Sequence, residues 1–178
     1  MAYHLDDVRF AAFPDASRVA AALASAGLPL GSLEAAIRAF VCPDARRPGF
    51  GYQQSIADHL QSHLRSTLST SGLRPVSTRV SPNLHEEADL ALAPDGSGRA
   101  VYFEIEFRPN VEKDLIKFQI AHNRGGLATG VLMVANERQR INPAYTTMPE
   151  FDKVARILTE LKPPFALLLV GIGGEHRD

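Results

Sequence analysis

VYFEIEF, residues 101–107, is the stretch on which the reading of this chain turns. Its apolar residues alternate with period two, the pattern of a half-buried strand. Glu104 and Glu106 nevertheless fall on one face, two residues apart, with Tyr102 beside them. Carboxylates that close on one strand face repel, so the face is either wet or carries a compensating positive charge.

Working outward, EADLALA (87–93) reads as the preceding strand, and PDGSG (94–98) joins the two with the Asp-Gly and Ser-Gly of a tight turn. With that turn centred between Gly96 and Ser97, cross-strand partners have numbers summing to 193, and Asp89 lies opposite Glu104. Alternation then puts Asp89, Glu104 and Glu106 on one patch, with Glu87 at its margin. A turn centred one residue away slides the register and separates them. A hard divalent cation, Mg²⁺ or Mn²⁺, relieves such a cluster, because it takes oxygen ligands from one or two carboxylates and keeps open positions. A solvated sheet face with an accidental charge cluster is the alternative.

The flanking segments supply the rest of an α+β chain. DASRVAAALASAG (15–27), with Asp15 or Ser17 as start and Gly27 as stop, and GSLEAAIRAFV (31–41) read as helices. CPDARRPGFGY (42–52) is a loop, and QQSIADHLQSHLRSTLST (53–70) a helix whose Ile56, Leu60, Leu64 and Leu68 keep a four-residue step up to Gly72. RPVSTRV (74–80) is a first strand; PNVEKDLIKFQIAH (109–122) a helix capped by Asn110 that turns Val111, Leu115 and Phe118 to the sheet; GVLMVA (130–135) a central strand. A helix PEFDKVARILTEL (149–161) and a strand PFALLLVGI (164–172) precede a polar tail. The expectation is one domain over 1–178: N-terminal helices and loop to 52, a core over 53–135, and a C-terminal helix and strand.

With 45% hydrophobic residues the chain has enough for one sizeable core. The single Cys42 excludes an intrachain disulfide framework, and neither a long apolar run nor a basic-then-apolar start is present, so the expected location is cytoplasmic, with no membrane partner. Nineteen Lys and Arg against twenty Asp and Glu leave a formal charge of −1, so any nucleic-acid site is a local patch.

An Asp on one strand, Glu-x-Glu on its hairpin partner, then a helix and a central apolar strand resemble the PD-(D/E)xK nuclease superfamily, and within it the branch that contains the BglII and BamHI restriction endonucleases. The match runs from about Gln53 to Ala135, with Glu106 where other branches carry Lys; Pro94-Asp95 falls in the turn, and no Pro precedes Asp89. The resemblance implies a restriction-endonuclease-like core: a mixed central sheet flanked by helices, with the N-terminal helices as an addition. It also implies that Asp89 and Glu104 bind Mg²⁺ and that Glu106 holds or deprotonates the attacking water, so that the chain cleaves double-stranded DNA. A homodimer follows if two strands of a palindromic site are cut by identical centres.

Candidate phosphate contacts are Arg108, Lys113 and Lys117, the last two one helical turn apart; NERQRINPAY (136–145) offers Asn136, Arg138, Gln139, Arg140 and Asn142 for base edges, and Arg46 and Arg47 form a weaker set. For each, an ordinary solvated surface is the competing explanation. His59 and His63 have zinc-ligand spacing but lack a third ligand, which favours surface histidines; RGGLATG (124–130) and GIGG (171–174) lack the Lys of a phosphate-cradling loop, and Cys42 has no nameable His partner. The rival to the nuclease is a catalytically silent module of the same fold that binds DNA or protein.

Overall fold

A computed structural model describes residues 2–43, 52–94, 98–107, 111–137 and 150–177. In chain order its elements are β1 (Ala2–Phe13), α1 (Ala16–Ser25), α2 (Leu30–Arg38), β2 (Val41–Cys42), α3 (Tyr52–Ser69), β3 (Leu73–Pro75), β4 (Leu90–Pro94), β5 (Ala100–Ile105), α4 (Val111–Asn123), β6 (Leu127–Ala135), α5 (Phe151–Leu161) and β7 (Leu167–Arg177). The strands form one mixed sheet in the order β2-β1-β7-β6-β5-β4-β3.

The β4–β5 ladder pairs Leu90 with Phe103, Ala91 with Tyr102 and Leu92 with Val101, the register in which partner numbers sum to 193. Alternation along β5 then divides the molecule. Val101, Phe103 and Ile105 join a core with Leu23, Leu33, Ile56, Leu60 and Leu64 from α1, α2 and α3; Tyr102 joins a second core with Ala91, Phe118, Val154 and Leu158 beneath α4 and α5. The sheet is covered on both faces, which suits its parallel β5–β6 and β6–β7 pairs and the apolar run of β6. Helix α4 is the crossover between β5 and β6. It sits close because Gly130 has no side chain: a Cβ there would lie 2.9 Å from the Phe118 ring.

The expected mixed sheet with flanking helices is present, but the N-terminal segment holds more than helices and a loop. β1 is a twelve-residue strand that runs antiparallel along β7 from Ala2↔Arg177 to Phe13↔Leu167. The segment beyond Ile172 is therefore strand too, not a polar tail. Gly171 and Gly174 lie in this strand at close approaches: a Cβ on Gly171 would meet Asn136 Oδ1 at 1.8 Å, and one on Gly174 the His4 carbonyl at 2.1 Å. Of RPVSTRV only Arg74 and Pro75 lie in the three-residue edge strand β3; beyond it the Val76 N–H still bonds the Ala91 carbonyl at 3.0 Å, and Arg79↔Glu87 is an isolated bridge. His59 and His63 are packing residues, with Nδ1 of His59 at 2.8 Å from the Ser55 carbonyl and Nε2 of His63 at 2.8 Å from that of Ala36. Cys42 is buried in β2. No single helix among the described residues is long and apolar enough to cross a membrane.

Candidate active site

The C-terminal end of β5 opens into a cavity of about 220 Å³ whose lining includes Asp89, Glu104 and Glu106. β4 begins at Leu90, one residue after Asp89, so the ladder ends where the acid stands, and Asp89 Oδ2 instead accepts the Ile105 N–H at 2.7 Å. Gln61 of α3 donates to the Asp89 carbonyl. These two bonds tie the acid to β5 and to α3 on either side. Glu104 occupies the face that alternation assigns it, beneath α4, with 3% of its side chain exposed. Glu106 follows the last residue of β5; its N–H bonds the Met133 carbonyl at 2.8 Å, which keeps the chain extended far enough to turn this carboxylate into the same cavity.

The positive charge that the acids require comes from α4. Lys117 Nζ lies 2.9 Å from Glu104 Oε2 and 3.1 Å from Oδ1 of Asp114, a fourth acid that is itself buried. Val111, Asp114, Lys117, Phe118 and Ala121 make up the buried residues of this helix, so the ion pair lies on the stripe that packs on the sheet. One ammonium does not satisfy two buried carboxylates. Burial pushes the Glu104 carboxyl up to about 9, helped by Asp114 and Asp89 and opposed by Lys117. Asp89 and Asp114 are also pushed up, chiefly by burial. Burial pulls Lys117 down, but the hydrogen bonds and charges of Glu104 and Asp114 outweigh it and hold the ammonium at about 12. A proton on Glu104 hydrogen-bonds to Asp114. With both ionised, Glu104 Oε1 and Asp114 Oδ2 are buried without a hydrogen-bond partner.

The donor set is all oxygen, and once the shared proton is lost two of its buried oxygens lack partners, which fits a hard divalent cation that takes the proton's place. Among the described residues, no three acid, imidazole or thiolate side chains stand close enough together to enclose one as placed. Mg²⁺ does not need such a cage, since it keeps several waters and accepts one or two carboxylates.

Of the other candidates, Lys113 lines the cavity from an exposed position and pairs with Glu86 at 3.1 Å. Lys117 is buried, not solvated. Asn136 is buried as well and gives its Nδ2 to the Asp7 carbonyl at 2.9 Å, a bond that ties the end of β6 to β1 and faces away from solvent. Glu87 pairs with Arg79 at 3.3 Å outside the cavity. Arg108, Arg138 and Arg140 lie outside the described residues, as do Arg46, Arg47, Asn110, Gln139, Asn142 and the Asp95–Ser97 turn. Asp58, Gln61 and Asp114 line the cavity without having been singled out from sequence. For Asp114 the signal was available: it is three residues before Lys117 and three after Val111, on the apolar stripe.

No family model and no curated protein matches this chain. Among solved structures it is similar to the crystal structure of free BglII, with a TM-score of 0.48 and 12% identity over 97% of this chain and 80% of that one.

Proposed function

We propose that this chain is a Mg²⁺-dependent endonuclease of the PD-(D/E)xK type that hydrolyses phosphodiester bonds in double-stranded DNA. The observation that carries the reading is the convergence of Asp89, Glu104 and Glu106 on one cavity at the end of β5, in the hairpin register that the motif requires. Asp89 and Glu104 would hold the cation, with Mn²⁺ an acceptable substitute. When bound, the metal stabilises charge developing on the scissile phosphate and lowers the pKa of the attacking water.

The remaining work falls to the chain's own groups. Glu106, less deeply buried than Glu104, would orient the water and accept its proton. The Ile105 N–H and Gln61 hold Asp89 in place before substrate arrives, so little reorganisation is needed at the moment of reaction. Lys113, exposed at the cavity, would meet a DNA phosphate; by residue type Arg108 is a further candidate phosphate contact, and Arg138 and Arg140 are candidate base contacts. Cutting both strands of a palindromic site would take two copies of the chain.

A second reading, a silent module of the same fold, is favoured by one observation: Lys117 already supplies a cation to Glu104 and Asp114. The two readings are separated by incubating the purified protein with mixed genomic DNA in Mg²⁺. Discrete fragments that vanish in Asp89→Asn and Glu104→Gln are expected of the nuclease. DNA left intact across divalent metals and varied templates would establish the silent module.

A further inference from the structure

Lys117 and Lys113 lie one turn apart on α4 yet occupy different surroundings. Lys113 has 58% of its side chain exposed, whereas Lys117 has 10% and directs its ammonium at two carboxylates within 3.1 Å. A lysine placed to meet a backbone phosphate would present its charge at the mouth of the cavity. Lys117 turns inward, to Glu104, which is the acid deepest in the site, and to its neighbour Asp114. Any divalent ion that draws on Glu104 must therefore share that carboxylate with an ammonium already hydrogen-bonded to it. Two cations so close to one acid repel strongly at the effective dielectric of a partly buried site. The lysine stem is a flexible chain of four carbons, so its charge can leave the acids with no movement of the backbone.

We propose that Lys117 is a positioning residue that holds the Glu104 and Asp114 carboxylates and competes with the divalent cation for them, so that its charge sets the metal affinity of the site. This rests on reading the cavity as a metal site. Without the cation, Lys117 keeps two buried acids from separating or drawing in water. With the cation, the same charge limits how tightly the metal is held.

The test is calorimetric titration of the folded protein with Mn²⁺ and Mg²⁺, without DNA. Lys117→Met, which keeps the length of the stem and removes the charge, is expected to bind either ion at least about tenfold more tightly than wild type. Lys153→Met, the same charge change on an exposed position of α5, is expected to bind as wild type does. Removing the ammonium leaves two buried acids uncompensated and endangers folding. For that reason Asp114→Asn is compared with the double variant Asp114→Asn, Lys117→Met, which leaves one buried acid uncompensated where Lys117→Met leaves two; the double variant is expected to bind more tightly than the single. Unchanged or weaker affinity on loss of Lys117, in a wild type that binds metal, overturns the competition and leaves the metal site standing. No binding in wild type or in either Lys117 variant overturns both. Binding that appears only when Lys117 is removed supports the competition directly.

Discussion

Glu104→Gln should make the metal-free protein more stable at neutral and alkaline pH, although it removes one partner of a buried ion pair. In the unfolded chain Glu104 titrates near its usual 4.5, and in the folded protein near 9. A carboxyl whose folded pKa is raised binds more protons folded than unfolded throughout that interval. Its contribution to stability is thus complete below the unfolded value and is lost as pH rises through the folded one. One proton taken up on folding corresponds to about 1.4 kcal/mol per pH unit, so wild type should lose about 3 kcal/mol between pH 6 and pH 8 from this cluster. Because a proton on Glu104 is shared with Asp114, the titration belongs to the pair and not to either residue. Gln is isosteric, keeps an oxygen for Lys117 and has nothing to titrate. For a chain of this size the difference amounts to a fall of about 6–12 °C in Tm between pH 6 and pH 8 in wild type, and a much flatter profile in the variant. Differential scanning calorimetry in metal-free buffer at half-unit pH steps reads it directly. Parallel profiles for the two proteins, or a variant less stable than wild type at pH 8, would refute the account of Glu104 as a destabilised buried acid.

Asn136→Ala should destabilise the fold by about 1–3 kcal/mol in chemical denaturation, because the Asp7 carbonyl loses its buried donor, and a null effect would return Asn136 to the list of DNA contacts. Gly171→Ala should be worse, since its Cβ would fall 1.8 Å from Asn136 Oδ1 and 2.6 Å from the Phe151 ring; a soluble variant with wild-type Tm would contradict the packing of β7 on β6 and α5. Lys113→Ala should weaken binding to duplexes of any sequence in Ca²⁺ and lower the salt slope by about one ion, whereas loss confined to one sequence would make Lys113 a base contact.

The hairpin was legible in the sequence because its information is local. A turn of fixed length, period-two alternation and one arithmetic sum place Ala91 and Tyr102 on one face and Phe103 on the other, and the ladder follows that register. β1 was not legible, because its partner is the far end of the chain and its own pattern is broken. Tyr3 and Leu5, and then Val8, Phe10 and Ala12, pack on one core, but the register shift between Leu5 and Asp7 puts the two halves of that stripe out of phase, and most of the strand's residues are only half buried, so the alternation does not stand out in the sequence. The same distance hid the last part of β7, whose Gly-Gly-Glu-His-Arg run reads as a tail until β1 is laid beside it. Within the site, the acids of the hairpin were legible and their counter-charge was not. Charge repulsion showed that a cation was needed, but it does not distinguish a metal from an ammonium. Lys117 reads as a solvated residue when the helix is scanned for apolar positions alone. Its spacing from Val111, Asp114 and Phe118 places it on the buried stripe only once polar residues are admitted there as a pair.

The proposal that these carboxylates act together on a phosphodiester is tested most directly at Glu106, the acid assigned to the water and not to the metal. Supercoiled plasmid should be nicked and then linearised by stoichiometric wild-type protein in Mg²⁺, and Glu106→Gln should slow that cleavage by at least about a hundredfold while its affinity for DNA in Ca²⁺ stays unchanged. Cleavage by Glu106→Gln at the wild-type rate, or none by wild type with any divalent metal, would contradict it.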